Sequence, residues 1–186
     1  MKIAVYSPNW VGDAILSLPF IHKLKEKNSE SEIIVVCKDW VAPVYQNNPN
    51  IDSIISFSSK DLKGLFRTIK NGLGLRDKKF DYFYTLTDSF RSALFMWLSG
   101  AKNRIGYSSQ LRSLLLTSDF NSHLLETHRT KKYLNLIGEL KDLETRENYI
   151  FLDQIEYNWA RKKLSESNII NFIAIFPFSV SQSRTL

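Results

Sequence analysis

Lys2-Ile3-Ala4-Val5-Tyr6-Ser7-Pro8-Asn9-Trp10-Val11-Gly12-Asp13 opens the chain, and the way this stretch is read decides the fold. Ile3 to Tyr6 form a short apolar run of the kind that makes a buried strand. The run passes through a turn into an amphipathic stretch from Asp13 to Lys27, where Ile15, Leu18, Ile21 and Leu24 recur at helical spacing. A strand that hands over to a helix puts its turn at the carboxyl edge of a sheet, where open α/β sheets bind ligands. Asp13 is a lone carboxylate on that edge, and the positive end of the helix favours its charged form. It is the residue expected to do chemistry as a base or hydrogen-bond acceptor. A second reading makes Asp13 a plain helix cap, a position where Asp is among the preferred residues.

The same alternation continues along the chain. Strands are expected at Glu32–Cys37, Ile51–Phe57, Phe80–Leu86, Arg104–Tyr107, Leu114–Thr117, Tyr149–Leu152 and Ile169–Pro177. Between them, helices are expected over Lys60–Leu75, Ser89–Ser99, Thr127–Leu140 and Gln154–Ser167. Gly100 suits the left-handed cap that closes a helix. Pro19 falls inside the first helix and is expected to kink it. Strands alternating with helices imply an α/β fold, a doubly wound and mainly parallel sheet covered on both faces. The polar helix before Asn168 reads as a linker, so the expected organisation is a domain over 1–168 and the first strand and loop of a second over 169–186.

Composition narrows the function classes. Hydrophobic residues make up 44% of the chain and charged ones 24%, the balance of a globular protein. No apolar stretch reaches the roughly eighteen residues of a membrane span. The single cysteine, Cys37, fits a reducing compartment and adds little to a metal site. His22, His123 and His128 are not spaced as metal ligands either, so no metal is expected. A net charge of +6 invites an anionic partner. The basic residues are scattered and the aromatic ones follow buried periodicities, so nucleic acid is not expected. Only Gly12 lies in the first strand-to-helix turn, and the GxGxxG and GxxxxGK[ST] patterns are both absent. That disfavours a dinucleotide-binding dehydrogenase and a P-loop ATPase.

Two further groups could hold an anion. Asp88-Ser89-Phe90-Arg91-Ser92-Ala93 follows a strand and opens a helix, so its backbone N–H groups, Ser89 and Arg91 could act as donors. A capping segment, with Asp88 or Ser89 as the cap, is the alternative. Lys60, Lys63, Arg67 and Lys70 fall at three- and four-residue spacing, hence on one face of a helix, facing either solvent or the phosphate or carboxylate groups of a ligand.

Taken in order, Pro8-Asn9-Trp10-Val11-Gly12-Asp13, Asp88-Ser89-Phe90-Arg91-Ser92-Ala93-Leu94 with Gly100-Ala101, Arg104-Ile105-Gly106-Tyr107, Arg112-Ser113-Leu114-Leu115-Leu116-Thr117 and the stretch from His128 to Tyr133-Leu134 resemble glycosyltransferase family 9. This is the family of the ADP-heptose:lipopolysaccharide heptosyltransferases, and the heptosyltransferase II type is the most similar. The resemblance implies a Rossmann-like N-terminal domain of a GT-B glycosyltransferase, with the second domain truncated. It also implies inverting transfer of a heptose from ADP-heptose, a substrate and not a cofactor, to the lipopolysaccharide inner core. Asp13 would be the base, and Asn9, Trp10, Gly12, Lys60, Lys63, Arg67, Ser89 and Arg91 would contact the acceptor. Arg184, in a degenerate form of the family's donor-phosphate loop, would stand at one of its basic positions.

The implied partners are an acidic lipid-linked oligosaccharide and an anionic membrane surface, with the chain peripheral to the cytoplasmic face of the inner membrane. A separate C-terminal half is a further implied partner, and the chain alone is expected to be inactive. The contrasting expectation is a non-catalytic module or remnant that keeps affinity for the acceptor.

Overall fold

The structure is a computed structural model, and it describes residues 1–61, 64–109, 111–121, 128–139 and 149–174. Strands β1 (Lys2–Tyr6), β2 (Glu32–Lys38), β3 (Ser53–Phe57), β4 (Tyr82–Thr85), β5 (Asn103–Ser108) and β6 (Ser118–Asn121) form one sheet in the order β3-β2-β1-β4-β5-β6. Every pairing is parallel, in register from Lys2 against Glu32 to Ser108 against Asn121. The helices are α1 (Val11–Leu16), α2 (Leu18–Lys27), α3 (Leu65–Gly74), α4 (Phe90–Leu98), α5 (Arg129–Asn135) and α6 (Gln154–Glu166). The doubly wound α/β fold is therefore as expected. Two compact units divide the chain, Met1–Phe151 and Leu152–Leu186.

Strand periodicity explains why both faces of the sheet are covered. Ile3 and Val5, with Ile33, Val35 and Cys37, point into one apolar cluster with Leu18, Ile21 and Leu24 of α2 and Leu134 of α5. The intervening Ala4, Tyr6, Ile34 and Val36 point into the other, against Phe95 and Met96 of α4. Alternate residues thus serve opposite layers, and the strands read as unbroken apolar runs. On the second face α3 and α4 pack closely at Gly72. A Cβ there would lie 2.8 Å from Leu98 Cβ and 3.1 Å from the Phe95 carbonyl oxygen.

Several local expectations are corrected. The first helix is not kinked at Pro19 but interrupted at Ser17, whose N–H and hydroxyl both donate to the Ala14 carbonyl (3.1 and 2.6 Å). Pro19 then sits in the first turn of α2, where its missing N–H costs nothing. The expected helix from Lys60 starts only at Leu65. Lys60 lies in the turn before it, and Lys63 falls outside the described residues. The one-face cluster of four cations therefore reduces to Arg67 and Lys70 on α3. The Arg67 guanidinium donates to the Lys60 carbonyl and ties that turn down.

Leu114–Thr117 is not a strand. Arg112–Leu115 is a 3-10 turn that leaves Leu114 92% exposed, and the edge strand follows at Ser118. Tyr149–Leu152 has no regular structure, and neither do residues 169–174. The rest of the expected last strand lies outside the described residues. Residues 129–135 form α5, shorter than expected, and Thr127 and Leu140 again lie outside the described residues. The 3-10 segment Asp39–Tyr45 was not foreseen. Gly100, at φ 72°, closes α4 as expected.

Two buried polar groups hold the carboxyl edge together. Tyr45 is buried, with its hydroxyl 2.6 Å from Ser7 Oγ and 3.0 Å from Ser17 Oγ, so it grips the chain on either side of α1. Arg112 is fully buried. Its Nε donates to the Tyr107 carbonyl and its Nη1 to the carbonyls of Thr87 and Ser89. Nη2 lies 4.0 Å from Asp88 Oδ1. Burial pushes the guanidinium pKa down, and the Asp88 charge works against that shift. The preceding Leu111 adopts φ 59°, a strained conformation for its side chain, which the Arg112 hydrogen bonds offset.

Replacing Arg112 by Met strands these carbonyls, and each unsatisfied buried acceptor costs about 1–3 kcal/mol. Arg112→Met is expected to lower unfolding free energy by about 3 kcal/mol, read from the chemical-denaturation midpoint. Gly72→Ala gains at most about 1 kcal/mol of helix propensity but overpacks the α3–α4 contact at about 1–3 kcal/mol. Its expected net effect is a loss of about 1 kcal/mol in the same assay.

At the amino edge of the sheet the Asp81 carboxylate accepts from Lys102 Nζ at 2.7 Å and from the Lys2 N–H at 2.9 Å. These bonds hold its pKa below the usual carboxylate range. Its stabilising effect is present above the unfolded-state value of about 3.9 and is lost as pH falls through the lower folded value. An Asp81→Asn chain is expected to lose less stability below about pH 4 than the natural one, as measured by unfolding across an acid pH series.

Candidate functional site

The strand order reverses between β1 and β4, and the crevice at their carboxyl ends is where this fold binds ligands. The chain leaves β1 at Tyr6, and the ladder is prolonged on both sides of it: Ser7 N–H donates to Val36 O and Leu86 N–H donates to Tyr6 O. The two loops that flank the switch point are therefore fixed at their starts, Ser7 against β2 and Leu86 against β1.

Asp13 lies in the first turn of α1, but it does not cap the helix. Trp10 occupies the cap position and makes no side-chain capping bond. The cap reading of Asp13 is set aside. Its carboxylate instead lies 3.7 Å from Arg129 Nε. The same guanidinium reaches Asp88 Oδ2 through Nη1 at 3.8 Å, and Lys132 Nζ lies 3.3 Å from that oxygen. Arg129 thus stands between two carboxylates from the two strand ends that flank the switch point.

Its helix, α5, is docked by named bonds. Thr130 Oγ1 donates to the Leu16 carbonyl at 3.1 Å, and Tyr107 Oη donates to the Lys132 carbonyl at 2.6 Å. The Lys132 ammonium sits 4.8 Å from the centre of the Tyr107 ring. Burial raises the Tyr133 hydroxyl pKa, and the nearby Asp13 charge raises it further.

A cleft of about 650 Å³ opens on the same edge, on the β2 side of β1. It is lined by Asn9 after β1, Lys38 at the end of β2, Leu65 at the start of α3, and Ser89 and Arg91 at the start of α4. Ser89 is the α4 cap and accepts from the Ser92 N–H at 3.2 Å, which settles the capping alternative between Asp88 and Ser89. Among the residues expected to contact an acceptor, Asn9, Ser89 and Arg91 meet in this cleft. Trp10 and Gly12 are exposed beside it but do not line it, and neither do Lys60 and Arg67. Arg184 lies outside the described residues. No group of three metal-ligating side chains comes together among the described residues.

Two residues that the sequence did not single out are central. Lys38 follows an apolar strand directly, but only the register of β2 beside β1 places that cation next to the switch point. Arg129 carries no local signal either, because only tertiary packing brings α5 to α1.

Comparison with known proteins agrees with this architecture. A lipopolysaccharide heptosyltransferase 2 of Escherichia coli is 31% identical over 117 residues, 62% of this chain and 34% of that relative. A lipooligosaccharide heptosyltransferase 2 of Haemophilus ducreyi is 30% identical over 119 residues, 62% of this chain and 33% of that relative. The chain thus matches about a third of the length of these curated relatives.

Among solved structures, a family 9 glycosyltransferase from Veillonella parvula superposes with TM-score 0.76 at 22% identity, covering 91% of this chain and 50% of that one. The E. coli ADP-heptose heptosyltransferase II superposes at 0.69 and 24% identity, covering 89% and 51%. Residues 69–179 match the family described as glycosyltransferase family 9 (heptosyltransferase), a span that begins in α3 and takes in Asp88, Arg112 and Arg129. With a switch-point crevice, this parallel sheet and that match, the chain belongs to glycosyltransferase family 9.

Proposed function

We propose that this chain forms the acceptor side of an inverting heptosyltransferase that moves a heptose from ADP-heptose to the inner core of lipopolysaccharide. The observation that carries the reading is Asp13 at the switch point, with its carboxylate 3.7 Å from Arg129 Nε. In the proposed reaction Asp13 takes the proton from an acceptor hydroxyl as that oxygen attacks the anomeric carbon. The bond from that carbon to ADP breaks and the configuration inverts. A positioned carboxylate within hydrogen-bond reach of the hydroxyl contributes about 10²–10⁴-fold to such a step. Asn9, Ser89 and Arg91 in the adjoining cleft hold the acceptor.

In this reading the described sheet serves the acceptor, and the donor is held by the part of the relatives that this chain does not match. No helix among the described residues is long and apolar enough to cross a membrane. The proposed location is the cytoplasmic face of the inner membrane, held peripherally. Leu65 and Phe66, 60% and 78% exposed beside Arg67 and the cleft, supply apolar and cationic contacts to an anionic lipid surface.

The 186-residue chain is expected to bind heptose-deficient lipopolysaccharide core, with affinity falling as salt rises, and to show no turnover of ADP-heptose. In a chain that also carries the donor half, Asp13→Asn is expected to cut transfer by at least about 10²-fold while acceptor affinity changes little. Undiminished transfer by that variant would remove Asp13 from the chemistry, and the absence of salt-sensitive acceptor binding would remove the whole reading.

A further inference from the structure

We propose that Arg129 is a positioning residue for the transfer step: its guanidinium, set between Asp13 and Asp88, keeps the Asp13 carboxylate in one orientation at the switch point. The proposal rests on the reading of Asp13 as the base and names the group that places that base. Among the described residues Arg129 is the cation within ion-pair distance of Asp13, with Nε 3.7 Å from Oδ1. At that separation the charges attract, yet the distance exceeds a hydrogen bond, so the carboxylate lone pairs stay open to an acceptor hydroxyl. The guanidinium remains protonated and takes no part in the path of the proton.

Nothing local fixes Asp13. Its side chain is 30% exposed on the first turn of a six-residue helix, and the cap position belongs to Trp10. A short carboxylate so placed has staggered alternatives that face water. Arg129 offers a fixed partner because it is itself held from the other side, with Nη1 3.8 Å from Asp88 Oδ2. Lys132 Nζ donates to the same Asp88 oxygen at 3.3 Å, and Arg112 Nη2 lies 4.0 Å from Asp88 Oδ1. Arg112 is buried and bonded to the carbonyls of Tyr107, Thr87 and Ser89. The row Arg112–Asp88–Arg129–Asp13 therefore runs from the core of the fold to the proposed base.

The register of α5 supports the same assignment. Thr130 and Tyr133 are three residues apart, and Arg129 and Tyr133 four, so all three share one side of the helix. That side docks on α1: Thr130 Oγ1 donates to the Leu16 carbonyl at 3.1 Å, and Tyr133 is buried in the cluster that holds Ala14. After burial, the Asp13 charge is the strongest influence on the Tyr133 hydroxyl, and the Arg129 charge opposes it. The three polar groups thus occupy one neighbourhood.

The test measures heptose transfer against acceptor concentration in a chain that also carries the donor half. Arg129→Ala and Arg129→Gln are compared with the natural residue, each first checked for a natural circular-dichroism spectrum and unfolding midpoint. Both are expected to lower kcat at least about ten-fold and to leave the acceptor KM within about two-fold. Guanidinium ion, added far below denaturing concentrations, is expected to recover part of the lost rate in Arg129→Ala and none in Asp13→Asn. On the residual transfer of Asp13→Asn, a further Arg129→Ala is expected to cost less than about two-fold, because no carboxylate is left to hold. Thr130→Val removes a docking bond of α5 and keeps both charges, so it reports what a loosened helix alone does. Its transfer is expected not to respond to guanidinium ion.

A loss carried by KM with kcat unchanged would overturn the proposal, because Arg129 would then be a contact to the acceptor. An equal loss in the natural and Asp13→Asn backgrounds would overturn it, and so would a loss in Arg129→Ala that guanidinium ion leaves untouched. Full transfer by both Arg129 variants would do the same. In each of these cases a large loss in Asp13→Asn alone leaves the base reading standing. Undiminished transfer by Asp13→Asn overturns the base reading and this proposal together.

Discussion

A guanidinium with no access to water organises the carboxyl edge of this sheet. Arg112 reaches the carbonyls of Tyr107, Thr87 and Ser89, which belong to β5 and to the loop between β4 and α4. Burying a charge costs less the more of its hydrogen bonds are met, and these carbonyls converge on Nε and Nη1, while the buried Nη2 has no hydrogen-bond partner among the described residues and lies 4.0 Å from Asp88 Oδ1. That convergence fixes the turn carrying Asp88 and the start of α4, and with it the position of Ser89 and Arg91 in the cleft. Asp88 then faces Arg129 and Lys132 of α5, and Arg129 faces Asp13. Gly106 belongs to the same arrangement. A Cβ there would lie 2.6 Å from Thr85 Cγ2 and 3.0 Å from Arg112 Nη2, so only a bare backbone lets the guanidinium in.

Charge is distributed unevenly along this edge, and the unevenness divides its labour. Around Asp13 and Asp88 the cations Arg112, Arg129 and Lys132 pair with carboxylates of the chain itself. On the other side of β1, Lys38 and Arg91 share a cavity whose described lining holds no carboxylate. One half of the crevice is electrostatically closed on itself.

How much of this was legible in the sequence follows the range of the forces involved. β1, β2 and α4 were readable because their apolar patterns and the Ser89 and Gly100 caps are local signals. The parallel, doubly wound topology followed from strands alternating with helices. The strand expected at Leu114–Thr117 failed because a charged side chain, Arg112, is buried there and winds the backbone, which a hydrophobic pattern does not register. The helix expected from Lys60 failed because cation spacing mimics a helix face without requiring one. The location of Asp13 was readable, but its partner was not: Arg129 meets it only after the sheet has ordered α1 and α5 against each other. For the same reason Asn9 was marked by its motif, while Lys38 needed the register of β2 beside β1 to be recognised.

The bond from Thr130 to Leu16 joins residues 114 apart in the chain, and the Asp13–Arg129 pair is fastened by that same contact between helices. Contacts of such long range come late in folding, because loop closure must be completed before they form. Short as it is, α5 is fastened to the crevice by contacts that span much of the chain and by the buried Tyr133 and Leu134. The charged centre exists only in the completed fold, whereas the cleft on the β2 side is built from elements nearer in sequence. A chain that loosens at α5 would give up the Asp13–Arg129 pair while keeping the cavity beside it.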